Sequence, residues 1–345
     1  MNWIIYLKTT ETCNLNCKHC FTNGTNGAKI YWSPRDVAQW LHKFSSITNK
    51  NDTVHCEFHG GEPFLVSPIE MRNVWNSAKD ILPNSTWGIT SNLVIKMYDE
   101  HYEFIKECLG ERIGTSWDPK IRFTNNKQYD LWHSNVKELL RRGTTVKLNI
   151  SVTKDTIDIE PIVLLRWIRR LGVQEVSFER LTGNGSALKH PDIFPSNKEQ
   201  DAWFLKLHQQ SEQYGARDWF HNEFLENIYA KFDNGVTTAG TFCRDCEEKI
   251  FTLNADGSIA GCPNSAPEEQ FGDINMTMSE LINNPIRLEN MACEKSRNGI
   301  CYSCEVFSHC GGDCHQLRWE EYTCGAPKSL MKSLSTKKVW MIKGI

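Results

Sequence analysis

The run CNLNCKHCF, residues 13–21, is the most informative segment of the chain, because it sets Cys13, Cys17 and Cys20 in a C-x3-C-x2-C spacing. A cubane iron–sulfur cluster has four irons, and a cluster held entirely by protein takes four thiolates. Three thiols on one loop therefore predict a cluster with one iron open to a substrate or cofactor, as a catalytic metal requires. A zinc knuckle or three unrelated buried thiols are the alternatives.

The bulk composition predicts a folded chain with a large core: 345 residues, 40% of them hydrophobic, and a formal net charge of −3. This near-neutral charge gives no support to a nucleic-acid partner. No apolar run reaches the roughly 18 residues of a membrane span, and the N-terminus lacks the charged and apolar regions of a secretory signal. We therefore expect a cytoplasmic protein without a membrane partner, whose 14 cysteines more often bind metal than form disulfides.

Residues 1–182 alternate between strand-like and helix-like segments. The predicted strands are Trp3–Leu7, Val54–Phe58, Ser85–Thr90, Arg112–Trp117, Val146–Thr153 and Glu175–Leu181. The predicted helices are Asp36–Phe44, Met71–Ile81, Glu100–Cys108, Asn135–Arg142 and Pro161–Leu171, with stops at Gly110, Gly143 and Gly172. Such a βα repeat predicts an α/β fold with a parallel sheet, although periodicity alone does not exclude a doubly wound one. Chemistry in parallel barrels gathers at the carboxyl ends of strands, where the cysteine loop follows the first strand.

The second half of the chain changes character. Residues 183–240 read as a helical connector, with helices expected at Lys198–Gln213 and Asn222–Phe232. Residues 241–326 are rich in cysteine and glycine, and metal ligation would supply the order that a small core cannot. Residues 327–345 form a basic tail with five lysines and no acid.

A second motif, HGGEP at residues 59–63, follows the second predicted strand. Glycine lets a backbone approach a ligand closely, and a carboxylate or carbonyl can bind an ammonium group. Together with the cysteine loop, this motif resembles the radical S-adenosylmethionine (radical SAM) superfamily. In that superfamily the open iron binds the amino and carboxylate groups of SAM, and an electron from the cluster cleaves SAM to methionine and a 5′-deoxyadenosyl radical. The resemblance implies a partial (β/α)6 TIM-like barrel over residues 1–182.

The same resemblance implies a set of SAM-binding residues. They are Phe21, Gly60, Gly61, Glu62, Ser91, Asn92, Ser116 and Arg122. The glycines and Glu62 would hold the amino group, the polar strand ends would contact the methionine carboxylate and ribose, and Phe21 would pack near the adenine. Alternatively, Ser91 and Asn92 cap the next helix, and Phe21 is a core aromatic residue.

The later cysteines follow a second recognisable spacing, Cys301-x2-Cys304-x5-Cys310-x3-Cys314. This spacing resembles SPASM, a small α+β extension with auxiliary clusters that occurs on radical SAM enzymes acting on peptides and proteins. The resemblance implies a nearer cluster held by Cys243, Cys246, Cys262 and Cys314 and a farther one held by Cys301, Cys304, Cys310 and Cys324. The expected cofactors are therefore SAM and three [4Fe-4S] clusters. If Cys243 is not a ligand, the nearer cluster has an open iron. Structural zinc sites, or a non-catalytic electron carrier, are the alternatives.

The resemblance implies an oxidoreductase that modifies a peptide. Our leading hypothesis is a cross-link or an oxidised residue in a ribosomally synthesised peptide. The alternatives are oxidation of a Cys or Ser in a sulfatase and dehydrogenation of a small molecule. Sulfatase maturases carry an acid where this chain has Pro263, which weakens the first alternative.

No catalytic acid or base is assigned by the pattern. His59, Asp118 and Glu179 are the candidates that would face the barrel mouth, and Glu179 could instead pair with Arg180. The expected partners are a peptide or protein substrate and a flavodoxin- or ferredoxin-type reductant. Many such maturases carry a peptide-recognition domain before the barrel, whereas here the barrel starts at residue 3, so recognition would need a separate peptide-recognition protein or a leader-independent mode.

Overall fold

The computed structural model describes residues 1–22, 24–234, 242 and 244–342. Strands and helices alternate through its first half. The elements are β1 (Asn2–Lys8), α1 (Pro34–Ser45), β2 (Thr53–His59), α2 (Pro68–Ala78), β3 (Ser85–Ile89), α3 (Asp99–Cys108), β4 (Arg112–Ser116), α4 (Asn126–Arg141), β5 (Thr145–Val152), α5 (Lys154–Ile157), α6 (Pro161–Leu171) and β6 (Glu175–Arg180). All six predicted strands and all five predicted helices of this half are confirmed, although α4 begins at Asn126 rather than Asn135.

These strands lie side by side in chain order and run parallel. β2 pairs with β1 and β3, and β5 pairs with β4 and β6. A parallel bridge between Thr90 and Gly114 joins β3 to β4. The mixed α/β fold with a parallel sheet is therefore confirmed, and its closure into a partial barrel stays a prediction.

The second half extends the sheet at the free side of β1. The elements are α7 (Asn197–Gln213), β7 (His221–Asn222), α8 (Glu223–Asn234), α9 (Cys246–Lys249), β8 (Ile250–Leu253), β9 (Ser258–Ala260), β10 (Gly272–Asp273), α10 (Met278–Ile282), α11 (Pro285–Lys295), α12 (Phe307–Cys310) and α13 (Lys328–Ile342). β8 runs parallel to β1, and β9 returns antiparallel to β8. This pairing brings Cys246 beside β1. Cys246 belongs to the second cysteine group, the cysteines between residues 243 and 324 that are the predicted ligands of the two later clusters.

Alternation along the strands decides which residues face the site. Ile5 and Leu7 of β1 are fully buried in the core, so Lys8 belongs to the opposite face. In β2, Phe58 is fully buried and His59 lies on the opposite face. The last residues of β1 and β2, Lys8 and His59, therefore face away from the core, next to the loops that follow.

The chain after residue 327 begins as a helix packed on α7. Leu330 and Met331 are fully buried, and Ser329 donates its backbone N–H to Asp201 across 2.8 Å. The start of the predicted basic tail is thus part of the core. Across the described ranges, no helix has the length and apolar character needed to cross a bilayer.

Candidate active site

The cysteine loop leaves β1 and turns tightly. Cys20 donates its backbone N–H to the carbonyl of Cys17 across 3.1 Å, and Leu15 donates its N–H to the thiol of Cys13 across 3.3 Å. Burial raises the pKa of Cys13 to about 12 and that of Cys17 to about 11, so both are neutral thiols without metal. A bound metal reverses this preference, because it coordinates the thiolate.

These thiols lie near one another without forming a compact one-metal site. Cys13 and Cys17 influence each other electrostatically, and both feel Cys20. Among the residues described, no three His, Cys, Asp or Glu side chains converge closely enough to hold a single metal ion.

The segment after β3 is fastened to the cysteine loop by Asn92. Its amide Nδ2 lies 3.5 Å from the thiol of Cys13 and 2.7 Å from Oδ1 of Asn14. Asn14 in turn donates to the carbonyl of Val94 across 2.6 Å. The next helix begins at Asp99, so the alternative that Ser91 and Asn92 cap it is wrong.

Glu62 joins the HGGEP motif to the same segment. Its carboxylate is fully buried and accepts hydrogen bonds from Ser91 Oγ at 2.8 Å, Asn92 N–H at 2.7 Å and Phe64 N–H at 3.0 Å. Burial raises the pKa of Glu62 above its usual range, although these three donors oppose the shift. The carboxylate that was expected to bind SAM thus accepts from three protein donors, and its role toward SAM stays a prediction.

The two glycines of HGGEP lie against the strand-to-cysteine connection. A Cβ on Gly61 would lie 1.9 Å from the carbonyl oxygen of Thr12, and one on Gly60 would lie 2.5 Å from that of Thr10. Gly61 N–H donates to Thr10 and Glu62 N–H to Thr12. The sequence-based reason for these glycines was close approach to a ligand, and the approach seen is between two loops.

Asp118 organises the other side of the cysteine loop. It is buried, accepts from Arg122 Nε at 2.6 Å and from Ser151 N–H at 2.7 Å, and lies 3.5 Å from His19 Nε2. Burial disfavours its charge, but Arg122, His19 and the Ser151 N–H outweigh that cost and hold the pKa of Asp118 below its usual range. Arg122 also lowers the pKa of Cys17, against the effect of burial. The predicted acid–base candidate Asp118 is thus ion-paired with Arg122, and its catalytic role stays a prediction.

His59, Phe21 and Lys8 form a cluster where β1 and β2 end. The rings of His59 and Phe21 stack with centroids 5.5 Å apart, and the amine of Lys8 lies 5.4 Å from the centroid of Phe21. His59 is half-buried, and its fully buried Nδ1 has no hydrogen-bond partner among the described atoms. Burial lowers the pKa of His59 to about 4. Our sequence reasoning missed Lys8, which alternation along β1 could have placed on the same face as Tyr6.

Glu179 and Ser116 lie at other strand ends. Glu179 is exposed and accepts from Ser177 Oγ across 2.6 Å, and Ser116 is half-buried at the end of β4. The suggested pairing of Glu179 with Arg180 is wrong, because Arg180 pairs instead with Asp313.

The farther set of predicted ligands surrounds a cavity of about 150 Å³. Cys301, Cys304, Cys310 and Cys324 all line it, together with apolar side chains such as Phe307. Burial raises the pKa of Cys310 to about 12. Four thiols around one space form the donor set that a fully ligated cubane requires.

Of the nearer set of predicted ligands, the structure describes Cys246, Cys262 and Cys314. Cys262 and Cys314 influence each other electrostatically, and Cys246 and Cys262 both act on Tyr6. Cys246 donates its N–H to Glu294 across 2.9 Å. Cys243 lies outside the described residues. The donors of both sets are thiols, which suits iron–sulfur clusters.

Solved structures share this fold, whereas no protein-family model matches the sequence. Native anSMEcpe with bound AdoMet and Kp18Cys peptide is 16% identical, with all of both chains covered (100% each) and a TM-score of 0.81. Streptococcus suis SuiB bound to S-adenosylmethionine is 12% identical over 91% of this chain and 73% of that one, with a TM-score of 0.65. SuiB bound to precursor peptide SuiA is 14% identical, with 91% and 72% covered and a TM-score of 0.64. anSMEcpe is an anaerobic sulfatase-maturating radical SAM enzyme, and SuiB is a radical SAM enzyme of peptide biosynthesis.

Proposed function

We propose that the chain is a radical SAM enzyme that cross-links or oxidises a residue of a ribosomally synthesised peptide. One observation carries the proposal. The C-x3-C-x2-C loop lies at the carboxyl end of β1, fastened to HGGEP and Asn92, in a fold shared along its whole length with an enzyme that binds AdoMet and peptide.

In this proposal Cys13, Cys17 and Cys20 hold the SAM-binding cluster. That cluster, when bound with SAM, supplies a 5′-deoxyadenosyl radical for hydrogen abstraction. The chain's own residues position the loop, since Asn92 holds Cys13 and the Asp118–Arg122 pair lies beside Cys17.

The two later cysteine sets would hold auxiliary clusters with all irons ligated. Closed sites of this kind suit electron transfer better than substrate binding. We include Cys243 in the nearer set on the SPASM resemblance alone. The proposed partners are the peptide and a flavodoxin- or ferredoxin-type reductant.

Sulfatase maturation is the second candidate. It is favoured by the full mutual coverage with anSMEcpe, whereas the chain covers 73% of SuiB. It is opposed by Pro263, which stands where the sulfatase maturases carry an acid. Dehydrogenation of a small molecule is the third, and a neighbourhood of sugar genes without a short precursor reading frame would favour it.

Anaerobic reconstitution with iron and sulfide, followed by SAM and dithionite, tests the proposal. We expect 5′-deoxyadenosine from the wild type and none from the triple Cys13→Ala, Cys17→Ala, Cys20→Ala variant. Two peptide sets then separate the candidates: peptides from adjacent short reading frames, and a sulfatase peptide with its target Cys or Ser. Loss of two hydrogens from a peptide of the first set supports the proposal. Reaction of the second set alone supports sulfatase maturation, and zinc without sulfide would rule out both.

A further inference from the structure

Lys8 is a buried cation at the place where β1 meets the cysteine loop. Its side chain is only 9% exposed, and its amine lies over the face of Phe21. Among the described residues, no hydrogen-bond acceptor or carboxylate lies within bonding distance of that amine. Burial lowers the pKa of Lys8 below its usual range, which shows that its charge is poorly compensated there.

The acids nearest to Lys8 are occupied elsewhere. Glu11 and Asp256 influence Lys8 electrostatically without forming an ion pair with it. Glu11 accepts the N–H of Ala255 across 3.3 Å, and Asp256 accepts the N–H and hydroxyl of Ser258 at 2.9 and 2.7 Å. Neither carboxylate therefore offers Lys8 a direct partner.

Lys8 also differs from the other cations around the site, which have partners already. Arg122 pairs with Asp118, and Arg180 pairs with Asp313. A buried charge without a partner is costly, so buried charges are usually paired or neutralised, and a ligand carboxylate would complete the pair for Lys8. Next to it, the buried Nδ1 of His59 likewise lacks a partner and offers a second polar atom to the same ligand.

We infer that Lys8 and His59 form a subsite for a carboxylate of the substrate, an acidic side chain or a C-terminus close to the modified residue. The ligand's identity as substrate rests on the function proposed above. Lys8 would form a charge-assisted bond with the carboxylate, and His59 would contribute its free Nδ1.

Lys8 lies between groups from both halves of the chain. Of its electrostatic neighbours, Glu11 and Cys20 follow β1, whereas Asp256 and Cys262 follow β8. The carboxylate of SAM has the same chemistry as a substrate carboxylate, so protection of Lys8 by SAM is tested separately.

Competitive labelling of the reconstituted enzyme tests the subsite without turnover. Lys8 is acetylated with an N-hydroxysuccinimide ester and quantified by mass spectrometry, with exposed Lys29 as an internal control. The probes are acetyl-Gly-Glu-Gly-amide and the matched acetyl-Gly-Gln-Gly-amide. We expect the Glu peptide alone to slow acetylation of Lys8 at least about threefold, because only a carboxylate can pair with the amine. Acetylation of Lys29 should not change.

Substitutions complete the test. Lys8→Met should weaken binding of the Glu peptide about tenfold, Lys8→Arg should retain most of it, and Lys29→Met should change nothing. Any of four results would overturn the inference. With the labelling assay, these are equal effects of both peptides, no effect of either peptide, and protection by SAM alone. With Lys8→Met, the result is loss of iron as the only effect. 5′-Deoxyadenosine formation by the wild type is scored separately, so failure of the proposed function is distinguishable from failure of this subsite.

Discussion

Arg180, the last residue of β6, forms a buried ion pair with Asp313, which directly precedes Cys314. The side chains are 4% and 5% exposed, and Arg180 Nη2 donates to Asp313 Oδ1 across 2.8 Å. Arg180 also donates to the carbonyl of Gly325, next to Cys324. One side chain thus connects the end of the parallel sheet with two of the predicted cluster ligands.

Arg180→Met should therefore destabilise the protein and loosen the second cysteine group. Removing one partner leaves a buried Asp313 charge uncompensated, which typically costs about 3–5 kcal/mol of unfolding free energy. Urea denaturation followed by circular dichroism measures the loss. Arg112→Met is the matched control, because Arg112 pairs with Glu175 on the surface and should cost about 1 kcal/mol or less. Equal losses in the two variants would contradict the structural role of the buried pair.

Asn92→Ala should weaken the cysteine loop. The substitution removes the donor to Cys13 and Asn14 and the acceptor of the Val94 N–H, and unpaired buried groups cost about 1–3 kcal/mol. We expect faster loss of iron from the reconstituted protein to a chelator, read by absorbance. Asn51→Ala, at an exposed position, should stay within about 0.5 kcal/mol of the wild type and keep its iron. Unchanged iron release in Asn92→Ala would argue against the role given to this amide.

Gly61→Ala should separate HGGEP from the cysteine loop. The new Cβ would lie 1.9 Å from the backbone oxygen of Thr12, so one of the two loops must move. We expect 5′-deoxyadenosine formation to fall at least about tenfold, since small displacements of a site cost large factors in rate. Gly299→Ala is the matched control, with no atom within 4 Å of its added Cβ. Normal activity of Gly61→Ala would show that the contact of the two loops is dispensable.

Local patterns allowed prediction of the framework but not of the contacts between its parts. The strands were predictable because hydrophobic alternation and glycine stops are local, and Gly110, Gly143 and Gly172 all have the positive φ expected of helix ends. The grouping of Cys301, Cys304, Cys310 and Cys324 around one cavity was predictable because cysteine spacing is also local, and their role as ligands stays a prediction. The Arg180–Asp313 pair was not, since it joins residues far apart in sequence.

The same limit applies at the site itself. The sequence places Glu62 after β2, but it does not predict the hydrogen bonds that Ser91 and the Asn92 N–H donate to it from the segment after β3. Lys8 was overlooked because a lysine at a strand end usually lies in solvent. Only the convergence of β1, β2 and the cysteine loop makes it a buried cation.

His59 should make the metal-free protein sensitive to mild acid. Burial lowers its pKa from 6.5 to about 4, so between these values the unfolded chain binds a proton that the folded chain does not. Stability from this group is therefore full above pH 6.5 and falls as the pH drops toward 4, by up to about 3 kcal/mol. His59→Gln should flatten that part of the profile, measured by urea denaturation at pH 7 and pH 5. The matching change at exposed His42 controls for the loss of a histidine, and parallel profiles for all three proteins would refute the assignment.

Cys310→Ser should remove one cluster and leave the SAM chemistry intact. Cys310 lines the cavity with Cys301, Cys304 and Cys324, far along the chain from the C-x3-C-x2-C loop. Three cubanes correspond to about twelve irons per chain, so we expect about eight in the variant, because a closed cubane needs all four thiolates. 5′-Deoxyadenosine should still form without peptide, while peptide modification should fall, since a closed cluster suits electron transfer. Cys293→Ser, at an exposed cysteine outside the recognised spacing, should keep the wild-type iron content. Equal iron in both variants would show that the cavity does not hold a cluster, and loss of 5′-deoxyadenosine in Cys310→Ser would show that the two sites are not independent.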